Sequence, residues 1–265
     1  MVDKSEKFTL LVRVGYAARG VVYILLGYLA LSSSANVAAG PQASLDFLQD
    51  IPLGGPILSV AAAGLLAYAI YKFIAAVSDL ERLGTTAKGV AHRVGYFCSG
   101  LAHSVLAWTA VEFARGNKQS ATGDGSNQAA GSLLSWEAGS VILGMVGIGF
   151  FLGAIVQGKK AVTADFMRSV GAGAPGSVCW IGRCGHAARS MVFLLIGWSL
   201  IKSAWLHSGS EVKGLGTALM SLRDDGGLYT IVAIGLLLFG VFSLIVARFL
   251  FIPDIDRSDL KPGIR

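Results

Sequence analysis

The sequence predicts an all-α membrane protein. Six transmembrane helices form three parallel helical-hairpin repeats in a pseudo-threefold bundle. Three observations lead there. Of the 265 residues, 54% are hydrophobic and 14% are charged, against about 25% charged in soluble domains, and mean hydropathy is +0.63. Six apolar segments, at about 10–33, 54–78, 92–113, 136–158, 181–205 and 228–252, each approach the roughly 20 residues that cross hydrocarbon as a helix. One string, finally, occurs three times.

Each apolar segment is assigned to helix because lipid offers no partner for backbone N–H and C=O groups. The 35 glycines suit membrane helices, where small residues let backbones approach closely. Ahead of the first segment, MVDKSEKF mixes acids and bases. The segment is longer than the core of a signal peptide, about 7–15 residues, so no cleavage is expected. Between the members of each pair lies a polar or mildly amphipathic stretch: ASLDFLQDIPLGG, SNQAAGSLLSWEAGS and GLGTALMSLRDDGG.

The repeat is explicit in RVGYAARGVVYILLGY from Arg13, RVGYFCSGLAHSVLAW from Arg93 and RCGHAARSMVFLLIGW from Arg183, spaced by 80 and then 90 residues. The Gly20 position is held by Gly100 and Ser190, and that of Gly27 by Ala107 and Gly197. All are small. Tyr28, Trp108 and Trp198 form a matched aromatic position. The second helices align as LLAYAIYKFIAA, GFFLGAIVQGKK and LLLFGVFSLIVA. Each repeat is then one hairpin: residues 1–88, residues 89–178, and residues 179–265 with a cytoplasmic tail, together one membrane domain. Two helices per repeat make every repeat enter from the same side, so the repeats are related by an axis along the membrane normal.

Basic residues set the orientation. Fourteen lie on the side of the N-terminus, among them Arg13, Arg82, Lys88, Arg93, Arg183, Arg257, Lys261 and Arg265. Arg115, Lys118, Lys202, Lys213 and Arg223 lie on the other, and Arg19, Lys72 and Arg189 fall within spans. A multi-pass protein of the bacterial inner membrane with both termini in the cytoplasm is expected. The net charge of +6 gathers beside apolar segments, where anionic lipid head groups meet it. No aromatic-and-basic stripe for nucleic acid is present.

The repeated R-x-G-Y-x-x-R-G motif and the linker ASLDFLQDIPLGG resemble the bacterial membrane family called domain of unknown function 1206. The resemblance covers nearly the whole chain and implies three two-helix repeats. Copy two departs from the motif with Ser99 at the second-arginine position, and copy three with His186 for tyrosine. The family name implies no activity.

The candidate site residues are Arg13, Arg19, Arg93, Arg183 and Arg189, as binders of an anion or a lipid head group. In the plainer account, arginines at the cytoplasmic end of a span snorkel to phosphate head groups, or bond to loop carbonyls or to Asp79, Glu81 and Asp165. In the sharper one, Arg13, Arg93 and Arg183 ring the pseudo-threefold axis beside helix N-termini and select anions. His103 is the intramembrane polar candidate, since ionisable groups at that depth are functional by default. It aligns with Tyr23 and Phe193, however, which makes it an aromatic packing slot. Lys72 is read as snorkelling, and Glu112 marks an external helix end.

Other signals are weak. Cys179, Cys184 and His186 lie close together, but C-x4-C departs from zinc spacing, and no metal is assigned. Gly149 and Gly153 form a G-x-x-x-G read as close helix packing, and such faces serve a homo-oligomer or a membrane-protein partner as readily. No nucleotide, metalloprotease or nucleophile-elbow motif is found. No catalysis and no cofactor is expected. The expectation is a non-catalytic structural, partner-binding or lipid-binding role; the alternative is a channel or transporter for a small anionic solute, built on the arginine ring.

Overall fold

The computed structural model describes residues 4–32, 37–78, 86–117, 125–171 and 173–250. Arg82, Lys118, Arg257, Lys261 and Arg265, used above for orientation, lie outside the described residues, as do Asp79, Glu81 and the C-terminal tail after residue 250. The side chain of Lys88 is also not described. The described residues form nine α-helices: α1 (Lys4–Ser32), α2 (Pro41–Asp50), α3 (Gly54–Val77), α4 (Ala87–Ala114), α5 (Gly125–Leu134), α6 (Gly139–Thr163), α7 (Val178–Leu206), α8 (Leu215–Met220) and α9 (Gly226–Phe249). Six of them, α1, α3, α4, α6, α7 and α9, are long and apolar enough to cross a membrane. The protein is therefore a multi-pass membrane protein.

The helix ends have local causes. Pro41 opens α2 in its first turn, where its missing N–H costs nothing. Thr86 caps α4 by accepting a hydrogen bond from Gly89 N at 3.3 Å. Ala164 and His207 end α6 and α7 in the left-handed region, at φ 54 and 50, returning N–H groups to Lys160 O and Ser203 O. The three amphipathic stretches between paired spans fold as the short helices α2, α5 and α8, each just ahead of the second span of its repeat. In α2, Leu45 is fully buried and Ser44 Oγ donates to Val22 O at 3.0 Å. Gln49 Nε2 ties the same helix to Phe113 O at the end of α4, at 2.9 Å.

Lipid tails are as apolar as leucine, so the spans associate through close packing rather than through a hydrophobic push. The closest packing lies between repeats. The small positions of the first span in each repeat meet the second span of the preceding one. A Cβ on Gly20 would lie 2.9 Å from Gly240 O, and one on Gly27 would lie 2.8 Å from Leu237 N, both on α9. On α7, Ser190 Oγ donates to Ala154 O of α6 at 2.7 Å, and a Cβ on Gly197 would lie 3.0 Å from Gly147 O. On α4, a Cβ on Gly100 would meet the Phe73 ring of α3 at 2.8 Å. Three equivalent seams result: α9–α1, α3–α4 and α6–α7.

Within repeats the pattern differs. Gly15 of α1 backs onto Tyr68 of α3, where a Cβ would lie 2.7 Å from the Tyr68 Cα. Gly185 of α7 backs onto Phe239 of α9 with the same 2.7 Å spacing. Among the described residues, the spans of repeat two, α4 and α6, form no comparable packing with each other. Hairpin neighbours in sequence are thus joined in copies one and three and separated in copy two. The six spans run in the order α4–α3–α1–α9–α7–α6, a threefold ring with one link open. The ends of this arc are the least buried: 22% of the span in α4 and in α6, against 50% in α1 and α9.

The seams also correct the alignment of the second spans. Gly197 meets Gly147 O and Phe151 N, as Gly27 meets Ala233 O and Leu237 N. Gly64, Gly149 and Gly235 therefore correspond, as do Tyr68, Gly153 and Phe239; the string comparison is one residue out in the middle copy. Gly149 is correspondingly not the packing glycine expected of a G-x-x-x-G, because a Cβ there meets nothing within 4 Å. Gly147 takes that role.

Gly197→Leu is expected to lower the thermal midpoint of the detergent-solubilised protein, by an overpacking cost of about 1–3 kcal/mol. Gly95→Ala, whose Cβ meets nothing within 4 Å, is expected to leave it unchanged. Differential scanning fluorimetry of the two variants checks the contrast.

Candidate functional site

The six candidate residues separate into two groups. Arg13, Arg93 and Arg183 sit at the three seams and bond to the last carbonyls of the preceding helix. Arg93 Nε donates to Ala76 O at 2.7 Å and its Nη2 to Val77 O at 2.8 Å. Arg183 Nη2 donates to Val162 O at 3.1 Å, and Arg13 Nη2 to Leu250 O at 3.4 Å. A cation at a helix C-terminus meets orphan carbonyls and the negative end of the dipole. The expected ring on the threefold axis does not form. These guanidiniums are held at three separate helix ends, and the first spans α1, α4 and α7 pack on second spans rather than on one another.

The second arginines lie deeper. Arg19 and Arg189 are near the middle of the spans Phe8–Ser32 and Val178–Leu206, about 16 Å in at 1.5 Å per residue. Arg19 is 7% exposed. It donates to Tyr68 OH and, at 2.9 Å, to Ser243 Oγ of α9, and its guanidinium lies 4.5 Å from the Tyr16 ring and 4.8 Å from those of Tyr68 and Phe239. Arg189 lies 4.4 Å from the same Phe239 ring and 4.9 Å from Phe193. The Nε atoms of Arg19 and Arg189 are buried with no hydrogen-bond partner.

Lys72 joins them from α3. It is 9% exposed, and its ammonium lies 5.3 Å from the Tyr68 ring that Arg19 also faces, 4.9 Å from Tyr71 and 4.4 Å from Tyr96 of α4. Lys72, Arg19 and Arg189 are thus linked through shared aromatic faces, first Tyr68 and then Phe239. The sequence leaves Lys72 without a role and does not single out Tyr68, Tyr96 or Ser243. The signal was one of charge balance. The three in-span cations face a set of spans in which Glu112 is the sole carboxylate, and Glu112 sits in the last turn of α4, 3.6 Å from Arg115.

His103 closes the α4 side. Its Nδ1 is 2.7 Å from Ser99 O, so that nitrogen carries the proton, and its ring lies 4.6 Å from Tyr68. Its repeat partners Tyr23 and Phe193 both underlie Arg189, so the slot lines the cluster in all three copies. His186 is drawn away from Cys179 and Cys184. Its Nδ1 pairs with Gln157 Oε1 at 2.5 Å and its ring stacks on Phe166 at 4.9 Å. Among the described residues, no three of His, Cys, Asp and Glu converge as a metal site would require.

Magnitudes show what the cluster lacks. At a separation of about 8 Å and an effective dielectric of about 20, each like-charged pair repels by about 2 kcal/mol. A desolvated cation–π contact returns about 2 kcal/mol. The rings offset the mutual repulsion, and the cost of removing the cations from water remains. Copy two differs at these positions: where copies one and three carry arginine and a large ring (Arg19 with Tyr68, Arg189 with Phe239), copy two carries Ser99 and Gly153.

Comparison with known proteins agrees with the repeat. The family model described as Domain of Unknown Function (DUF1206) matches residues 14–79, 94–164 and 184–249. An uncharacterized protein YxxB of Bacillus subtilis (strain 168) is 32% identical over 242 residues, covering 88% of this chain and 87% of that one. No solved structure matches.

Arg189→Met is expected to hold or raise the thermal midpoint in lipid-free detergent, because it removes a buried charge that has no carboxylate partner. Arg93→Gln is expected to lower it, by about 1–2 kcal/mol for two lost charged hydrogen bonds. Melting both variants in the same neutral detergent compares the two roles.

Proposed function

We propose, for a chain that belongs to the domain of unknown function 1206 family and so inherits no activity from its name, that this membrane protein binds an anionic group at the Arg19–Lys72–Arg189 cluster without catalysing a reaction. One observation carries the proposal: three cations converge at membrane depth, and the described spans supply no carboxylate to meet them. Tyrosine hydroxyls and Ser243 add neutral hydrogen-bonding groups around the charge, which suits a phosphate or carboxylate. The excess of basic residues on the N-terminal side supports placement in the bacterial inner membrane with both termini cytoplasmic.

A conduit based on a ring of Arg13, Arg93 and Arg183 has less support, since those guanidiniums already serve helix ends. Proteoliposomes are accordingly expected to pass small anions no faster than empty vesicles. The triple Arg13→Gln, Arg93→Gln, Arg183→Gln variant is expected to behave alike.

Binding is tested with a water-soluble anionic amphiphile, dihexanoyl phosphatidic acid, against zwitterionic dihexanoyl phosphatidylcholine. The acid is expected to raise the thermal midpoint of the wild type and to bind Arg19→Met and Arg189→Met at least ten-fold more weakly. Equal stabilisation of all three proteins removes the cluster as the binding site.

A further inference from the structure

The open link between α4 and α6 is not a featureless gap. Gly95 corresponds to Gly15 and Gly185, the glycines that seat α1 on α3 and α7 on α9, and Gly149 corresponds to Gly64 and Gly235 on the opposite walls. In copies one and three a Cβ at any of these four positions would strike the facing helix, whereas at Gly95 and Gly149 it meets nothing within 4 Å. The seam face of α4 continues through Val94, Cys98 and Ala102, all exposed; Val22 and Val192, the counterparts of Ala102, are 1% exposed. The α4 wall of the open seam is therefore apolar and made of small side chains, and Gly149 leaves the α6 wall bare opposite it. At its inner end stands the cation cluster: Lys72 lies 4.4 Å from Tyr96, the neighbour of Gly95. Arg189 lies 4.9 Å from Phe193, against which a Cβ on Gly153 of α6 would come to 3.1 Å.

We propose that the α4–α6 seam is a lateral portal from the bilayer, and that its occupant is an anionic phospholipid. The lipid places its head group on Arg19, Lys72 and Arg189, and one acyl chain lies along Gly95 and Gly149. The proposal rests on the anion-binding function above and adds the source of the ligand and its route. Charge and shape select this occupant together. An unpaired cation cluster calls for an anion, and an apolar slot open to lipid leads to that cluster. A soluble anion has no use for the slot, and an apolar helix has no use for the cations. Arg19, 7% exposed with its Nε lacking a partner, and Lys72 put the charge inside the fold, beside an opening between helices wide enough for an acyl chain to follow the head group.

The experiment is native mass spectrometry of the full chain released from detergent, with dioleoyl phosphatidylglycerol, dioleoyl phosphatidylcholine or inorganic phosphate. Wild type, Arg189→Met and two seam-filling variants, Gly95→Leu and Gly149→Leu, are compared, with Gly131→Ala on α5, where a Cβ meets nothing within 4 Å, as the control substitution. The seam-filling side chains enter from opposite walls, so one suffices if the other does not fold.

The expected result is that wild type and Gly131→Ala retain phosphatidylglycerol over phosphatidylcholine by at least ten-fold. Arg189→Met loses that preference. The seam-filling variants lose it too, yet keep the stabilisation by dihexanoyl phosphatidic acid. Phosphatidylglycerol kept by the seam-filling variants and lost by Arg189→Met overturns the portal and leaves the anion site standing. Phosphatidylglycerol kept by Arg189→Met overturns both. Inorganic phosphate displacing the lipid, and binding all seam variants equally, assigns the site to a soluble anion. A stable dimer that the seam-filling variants abolish assigns the seam to a second copy of the chain.

Discussion

Close backbone approach at small residues is the constraint on which the rest of the structure depends. Lipid gives the spans no hydrophobic reason to associate, so the fold relies on contacts that a methyl group would break. Gly20 and Gly240 share the α1–α9 crossing, and Gly147 and Gly197 share the α6–α7 crossing. The first arginine of each motif then ties the helix end beside its seam, reaching carbonyls at Leu250, Ala76 and Val77, and Val162. Packing and capping act on the same pairs of helices. The pairs that hold the bundle together are therefore those between repeats, and hairpin connectivity is secondary.

The interior follows from that frame. Once the seams fix how far apart the spans can be, the second arginines of copies one and three turn inward onto aromatic rings, Arg19 buried and Arg189 half-buried. Phe239 stands between Arg19 and Arg189, and Tyr68 between Arg19 and Lys72. Copy two contributes neither the arginine nor the ring, having Ser99 and Gly153 in their places. Its two spans do not close on each other, so the bundle has one side unlike the other two. A duplication that began as three equal parts has become a frame of two copies and an opening in the third.

Much of this was legible in the sequence, for reasons specific to the motif. Helix in lipid is compulsory, so apolar length located all six spans to within a few residues. Repetition at 80 and 90 residues identified the small positions, and every one of them proved to be a contact. The site was half legible. Arg19, Arg189 and His103 were singled out, and all three line the cluster. Weight fell instead on Arg13, Arg93 and Arg183, because repetition in all three copies looked like the stronger signal. Lys72 was passed over because a lysine near a span end ordinarily snorkels, and no local pattern reveals that Tyr68, Tyr71 and Tyr96 enclose it.

By itself the sequence determined the fold class, the number of spans, the threefold repeat and the presence of Arg19, Lys72 and Arg189 within spans, since each follows from local composition or from self-comparison. Tertiary structure decided which helices touch, that the first arginines cap neighbouring helices, that Gly147 rather than Gly149 packs, and that the α4–α6 link stays open. These depend on register between segments far apart in the chain. A one-residue slip in the middle copy exchanges one glycine for another, and only the facing helix can tell them apart.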